Sequence, residues 1–394
     1  MALTVDEARA VILREIRAQW TPRSIESIPL SAAAGRILAE DITADRDYPP
    51  FPRSARDGFA IRSHELPGTF EVIGESRAGL PFSGISGPGQ AVEIMTGAAM
   101  PEGADTIVMV EHVERQGDRI KIERSSRAGD NFTPAGTEVR QGSCVLRHGQ
   151  RLGYAEIAVL ATVGKGTVEV YTQPRVAIIA TGDEIVEIGE APTTAQIRNS
   201  NARSLAAQVQ RAGGLAEILP VARDNHASTR ELIERGLQHD LLLLSGGVSV
   251  GKYDIVEAVL AELGAEFFFD RVKIQPGQPL VFGKARGTYF FGLPGNPIST
   301  MVTFEIFAKA GLELLAGCPT STLVFPRAPL TEPFQQKPGL IRFLPAVFNE
   351  RGLTPIRSQG SGDVFALAHA NAFLVTEPDR EKWPAGDLIQ MMFK

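Results

Sequence analysis

Leu241-Leu242-Leu243-Leu244-Ser245-Gly246-Gly247-Val248-Ser249-Val250-Gly251-Lys252-Tyr253-Asp254 sets four consecutive leucines directly ahead of a loop rich in glycine and serine. A continuously apolar run of this kind suits a strand buried on both faces, which is the situation in parallel sheets covered by helices. The flanking sequence agrees. Strand-like runs at 175–180, 216–221, 240–244 and 288–291 alternate with helix-like runs at 199–212, 227–237, 254–263 and 297–316. Short strands alternating with longer helices predict βαβ crossovers, and hence a three-layer α/β domain with a mainly parallel sheet.

In such sheets ligands bind beyond the carboxyl ends of the strands, so the loops that follow them are the first place to look for chemistry. Here they read Thr181-Gly182-Asp183-Glu184, Arg223-Asp224, residues 245–254, and Gly292-Leu293-Pro294-Gly295-Asn296-Pro297. Glycines let backbone N–H groups approach an oxyanion, and Pro297 stands where the first residue of a helix would be. A phosphorylated ligand suits these loops. Asp183, Glu184, Asp224 and Asp254 offer hard oxygens for a Mg²⁺ ion that also holds phosphates, although any one acid alone is equally a helix cap or a surface charge. The spacing Gly246-x-x-x-x-Gly251-Lys252 approaches a Walker A loop but continues with Tyr253, where Ser or Thr must ligate the metal. The six histidines are dispersed, which argues against zinc. Ser245 and Ser249 lack the Gly-x-Ser-x-Gly elbow of serine hydrolases. These residues reach as far as a Mg²⁺-assisted transferase acting on a phosphorylated ligand.

The rest of the chain bounds the answer. Its 394 residues imply two to three domains, and 43% apolar with 22% charged residues is a globular composition. The 39 glycines and 26 prolines predict many tight turns. A net charge of −6 without any basic block excludes a broad nucleic-acid footprint. Cys144 and Cys318 form no Cys-x-x-Cys pair, as expected of a reducing cytoplasm. Residues 1–7 do not read as a secretory signal. The apolar stretch 298–316 carries Glu305, Lys309 and Glu313, so it predicts a core helix and no membrane span.

Thr4 and Glu7 form a capping-box pattern ahead of Ala8, Val11, Ile12 and Ile16 on one helical face. A second helix-like run at 31–38 leads into Tyr48-Pro49-Pro50-Phe51-Pro52, whose prolines force an extended path. Short β-rich runs follow at 69–73, 91–95, 106–113 and 119–122, then a helix at 155–162 and a strand at 167–171. The expected organisation is residues 1–45 with 140–173 as an N-terminal domain, 46–139 as an inserted small β domain, 174–317 as the α/β domain, and 318–394 as a C-terminal β-barrel-like domain.

Five motifs in order resemble the molybdenum-insertion family of molybdenum-cofactor biosynthesis, which includes bacterial MoeA and the E domain of gephyrin. They are Pro49-Pro50-Phe51-Pro52-Arg53-Ser54-Ala55-Arg56-Asp57-Gly58-Phe59-Ala60, then Ile94-Met95-Thr96-Gly97-Ala98 with Pro101-Glu102-Gly103-Ala104-Asp105, Ala180-Thr181-Gly182-Asp183-Glu184, the 245–254 loop, and Gly292-Leu293-Pro294-Gly295-Asn296-Pro297. The resemblance implies a homodimer whose α/β domain binds molybdopterin. It implies an enzyme that takes adenylylated molybdopterin and molybdate, hydrolyses the adenylate with Mg²⁺, releases AMP and leaves molybdenum on the dithiolene. A molybdopterin adenylyltransferase and molybdoenzyme acceptors would be its partners.

By motif match the resemblance assigns Asp57, Thr96, Glu184, Asp224 and Asp254 to catalysis, with Glu184, Asp224 and Asp254 as Mg²⁺ ligands. Substrate binding would fall to Ser245, Gly246, Gly247, Ser249, Gly251, Lys273, Gln275, Gln278, Lys284, Pro294, Gly295, Asn296 and Ser361. Two departures stand out. The family's Lys-Pro-Gly-Lys stretch reads Gln275-Pro276-Gly277-Gln278, with Lys273 and Lys284 as nearby charges. An Arg followed by Gly-Glu-Asp is replaced by residues 131–138, where Glu138 stands for the acid. The alternatives are a scaffold of the gephyrin E-domain type, against which the retained acids weigh, and a molybdopterin adenylyltransferase, which would leave two β domains unexplained.

Overall fold

The computed structural model describes residues 2–19, 21, 23–247 and 255–394. The chain divides into two compact units, one made of Met1–Ser27, Gly35–Ala39 and Glu169–Lys394, the other of Ile28–Ala34 and Glu40–Val168.

In the first unit the expected α/β sheet is present. Its strands lie in the order Leu215–Ile218, Arg175–Ala180, Leu241–Ser245, Thr288–Leu293, Pro279–Ala285 and Glu266–Arg271. The first four run parallel, Pro279–Ala285 pairs antiparallel with Thr288–Leu293, and Glu266–Arg271 pairs antiparallel with Pro279–Ala285 and so runs in the direction of the first four. Leu241 to Leu244 are all fully buried, because alternate leucines enter two different cores. Leu241 and Leu243 pack with helix residues Leu205, Val209, Val302 and Phe304, while Leu242 and Leu244 pack with Ile233, Val256 and Val259. That produces three layers. The helix Val5–Ala18 begins with the anticipated capping box and buries Ala8, Ile12 and Ile16 against the first of these cores.

The first core continues without interruption into the C-terminal strands through Phe343, Phe373, Val375 and Met392. Those strands form a sheet in the order Ile274–Gln275, Ile341–Asn349, Ala372–Val375, Leu388–Phe393 and Arg327–Pro329, with Gly352–Pro355 paired to Ile341–Asn349. The edge strand Ile274–Gln275 thus comes from the α/β segment and pairs in parallel with Ile341 and Arg342.

The second unit is built on a sheet ordered Thr106–Met109, Gly58–Ile61, Gln90–Ile94, Gly68–Ser76, Arg119–Ile122 and Glu114–Gln116. Phe59, Ile61, Phe70, Val108 and Ile120 form its core. Gly58–Ile61 was not anticipated as a strand, since its four residues follow a proline-rich stretch and show no alternation; all four are buried. The run 31–38 is not the expected helix. A 3₁₀ turn covers only Leu30–Ala32, Gly35 has φ +81°, and Leu38 bridges to Val170, so pairing of the Ile37-Leu38 end in extended form overrides the helix propensity of the alanines. Among the described residues no helix is long and apolar enough to cross a membrane.

Candidate functional site

A cavity of about 790 Å³ opens beyond the carboxyl ends of the parallel strands in the first unit. Its floor is the loop after Leu241–Ser245. Gly247 has φ +63°, and an added Cβ would stand 2.7 Å from Thr181 Oγ1, so only glycine lets the two strand-end loops close on each other. Asn201, in the first turn of the helix Ser200–Ala212, donates from Nδ2 to Ser245 Oγ at 3.0 Å and to the Gly295 carbonyl at 2.7 Å. Asn199 caps the same helix by accepting the Ala202 N–H.

The Pro294-Gly295-Asn296 turn, beside Gly246, and residues of the C-terminal segment line the rest of the cavity. Asn296 Nδ2 donates to Ser361 Oγ at 2.9 Å, and the Ser361 carbonyl accepts the Ile298 N–H at 2.9 Å. One of the otherwise orphaned donors at the start of the helix Pro297–Thr303 is thereby satisfied. Asp363 fixes the loop that presents Ser361. Its carboxylate accepts the N–H groups of Ala366 and Gln359, which hold it below the ordinary carboxylate range.

The cavity carries charge of both signs. Glu184 supplies a carboxylate, while Arg198 and Arg342 supply cations. Arg342 Nη1 donates to Gln275 Oε1, its backbone N–H donates to Thr376 Oγ1 at 3.0 Å, and its buried Nε has no partner among the described residues. Thr181 Oγ1, Asn199 Nδ2 and Asn201 Oδ1 are likewise buried without partners among those residues, which makes this a polar site.

Of the anticipated residues, Glu184, Ser245, Gly246, Gly247 and Gln275 line the cavity, as do Gln278, Pro294, Gly295, Asn296 and Ser361. Ser249, Gly251 and Asp254 lie outside the described residues. Asp224 is tied to Asp183: the Asp183 N–H reaches Asp224 Oδ2 at 3.4 Å and the Asp224 N–H reaches Asp183 Oδ1 at 3.2 Å. Lys273 and Lys284 do not line the cavity. The Lys273 N–H donates to Leu3, and Lys284 sits over the Tyr289 ring beside the hairpin that leads into Thr288–Leu293, at the other end of that strand from Pro294. The cation actually supplied near Gln275 is Arg342, whose strand gave no sign in the sequence of reaching this site.

Asp57 and Thr96 come together in the second unit. Asp57 Oδ1 accepts the Thr96 N–H at 2.6 Å and the Thr96 hydroxyl at 2.7 Å, and these bonds pull the carboxyl below its ordinary range. Glu138 pairs with Arg53 at 2.6 Å.

Residues 3–164 match the MoeA N-terminal region (domain I and II), 177–313 the probable molybdopterin binding domain, and 327–393 the MoeA C-terminal region (domain IV). The chain belongs to the MoeA family. The molybdopterin molybdenumtransferase of Bacillus subtilis (strain 168) is 36% identical over 386 residues, covering 93% of this chain and 89% of that protein. The molybdopterin molybdenumtransferase of Staphylococcus epidermidis (strain ATCC 12228) is 35% identical over 378 residues, covering 93% and 90%. Two crystal structures of MoeA proteins from Pyrococcus horikoshii superpose over the whole chain, one at TM-score 0.81 and 28% identity and one at TM-score 0.74 and 30% identity. They cover 100% of this chain and 100% and 99% of theirs.

Proposed function

We propose that this MoeA-family chain is a molybdopterin molybdenumtransferase, which uses the strand-end cavity to take adenylylated molybdopterin and molybdate and to release AMP. The observation that carries this reading is the cavity itself. It has the size of a small-molecule cleft, roughly 300–1,000 Å³, and is built from the loops after successive parallel strands, with Arg198, Arg342, Glu184 and the Ser245-Gly246-Gly247 turn all among its lining residues.

In this reading Arg198 and Arg342 attract the anionic substrates, and Ser245 donates its hydroxyl proton to a phosphoryl oxygen. The Gly246 and Gly247 backbone allows the phosphates to approach closely. Water attacks phosphorus of the phosphoanhydride, the anhydride P–O bond breaks, and AMP leaves. Asp57, oriented by Thr96, would serve as a polar clamp for an oxyanion in the partner's cleft of the homodimer that the family resemblance implies.

Mg²⁺ fits part of the donor set. Among the described residues no three Asp, Glu, His or Cys side chains cluster, yet Mg²⁺ keeps several waters and needs only one or two carboxylates beside substrate phosphates. Glu184 meets that need. Its carboxylate lies against Gly182, in space that a Cβ there would fill. Asp224 and Asp254 would complete the set, and the bound ion would neutralise charge on the phosphates. The same reading makes the protein a cytoplasmic homodimer that receives its substrate from a molybdopterin adenylyltransferase and passes the product to molybdoenzymes.

The test is to supply purified protein with adenylylated molybdopterin, Mg²⁺ and molybdate and to measure AMP. Release that requires both molybdate and Mg²⁺ is expected, with no hydrolysis of ATP. AMP release unchanged by EDTA and by omission of the oxyanion would overturn the reading.

A further inference from the structure

Asn201 belongs to none of the motifs above, yet its side chain joins three of the loops that build the cavity. Its Nδ2 bridges Ser245 Oγ at 3.0 Å and the Gly295 carbonyl at 2.7 Å, while its backbone lies in the first turn of Ser200–Ala212. Both amide hydrogens therefore go to groups at the ends of the neighbouring strands Leu241–Ser245 and Thr288–Leu293.

The direction of these bonds has a chemical consequence. A side-chain amide nitrogen only donates, so Ser245 Oγ accepts from Asn201 and its own O–H proton must point elsewhere. No acceptor among the described residues takes that proton, and Ser245 lies at the cavity wall. The Gly295 carbonyl, which would repel an anion if turned into the cavity, is occupied by the second amide hydrogen.

We propose that Asn201 is a positioning residue, which makes Ser245 a one-way hydrogen-bond donor to a tetrahedral oxyanion in the cavity and keeps the Gly295 carbonyl turned away from it. This rests on the reading of the cavity as the site for a phosphorylated substrate and molybdate. The shared chemistry is a tetrahedral oxyanion, supplied by either.

Asn201→Asp tests the proposal because it keeps the shape and reverses the polarity: a carboxylate would accept the Ser245 proton and face the Gly295 carbonyl with like charge. Pyrophosphate and molybdate are titrated separately by calorimetry into the full-length wild type, Asn201→Asp, Ser245→Ala and the double variant, each checked for an unchanged melting temperature. Because losing a hydrogen bond to a charged group weakens binding by about tenfold or more, Asn201→Asp should weaken binding of one oxyanion by that factor. In the Ser245→Ala background the same change should cost clearly less, since the proton it withdraws is already gone. Binding by Asn201→Asp should recover as pH falls and the new carboxyl becomes a donor. Coupling seen with only one anion identifies which oxyanion Ser245 serves.

Equal fold-losses in both backgrounds, or undiminished binding of both anions, would overturn the proposal. Should Asn201→Asp fail to fold, Asn201→Ala completes the same cycle without added charge. A wild type that releases no AMP while the anion coupling persists would instead count against the proposed activity alone.

Discussion

Arg342 donates from Nη1 to the side-chain oxygen of Gln275, and the two residues are register partners where Ile274–Gln275 pairs in parallel with Ile341–Asn349. A guanidinium from the C-terminal sheet thus stands beside the Gln275-Pro276-Gly277-Gln278 stretch. Arg342→Gln should raise the half-saturating molybdate concentration by about tenfold, equivalent to about 1.4 kcal/mol, and flatten its dependence on ionic strength. With Arg342 in place, Gln275→Lys should improve molybdate binding little, because the new ammonium would replace the acceptor of Arg342 with a like charge. Titrating molybdate against AMP release at two salt concentrations checks both, and an Arg342→Gln curve that overlays the wild type would remove this arginine from the site.

Asp57 should titrate in two different ranges depending on Thr96. Its carboxyl is held low by the Thr96 backbone N–H and hydroxyl, so the stability this interaction contributes is present above the unfolded value, about 3.9, and is lost as pH falls through the lower folded value. Thr96→Ala removes one of the two donors. The Asp57 carboxyl should then titrate at higher pH, closer to the ordinary value, as read from its side-chain carbon shift by NMR; an unmoved titration would contradict the hydrogen-bond origin.

Gly182 combines φ +141° with a Glu184 carboxylate packed where a Cβ would project. Gly182→Ala should therefore cost about 1–3 kcal/mol from the backbone alone and should displace Glu184, abolishing AMP release. A melting temperature and an activity equal to those of the wild type would refute the close contact.

Burial pushes the Tyr289 phenol up to about 12 while its hydroxyl donates to the Glu15 carbonyl at 2.7 Å. A raised folded value means that the contribution is complete below the unfolded value of 10.0 and declines as pH rises through about 12. Tyr289→Phe should cost about 1 kcal/mol at neutral pH and should lose less stability than the wild type between pH 10 and 12. Parallel urea titrations of the two proteins across that range decide it.

Local information in the sequence was sufficient for the α/β layers. The leucines at 241–244 are buried on both faces whatever their neighbours are, and Thr4 and Asn199 stand at helix starts because their side chains satisfy nearby N–H groups. Glycines 246 and 247 and the 294–297 turn were legible for the same reason, since close backbone approach demands particular residues at short range. Tertiary structure decided what depends on distant partners. The strands Glu266–Arg271 and Pro279–Ala285 close the sheet antiparallel through stacked phenylalanines such as Phe282 and Phe291. Lys284, close in sequence to Gln278, is carried to the far end of the sheet, because a strand moves each residue about 3.3 Å along its axis. Asn201 reaches Ser245 and Gly295, and Arg342 reaches Gln275, only through packing and register between segments far apart in the chain. No local pattern marks an asparagine or an arginine for such a partner; the shared core that joins the α/β sheet to the C-terminal strands brings them together.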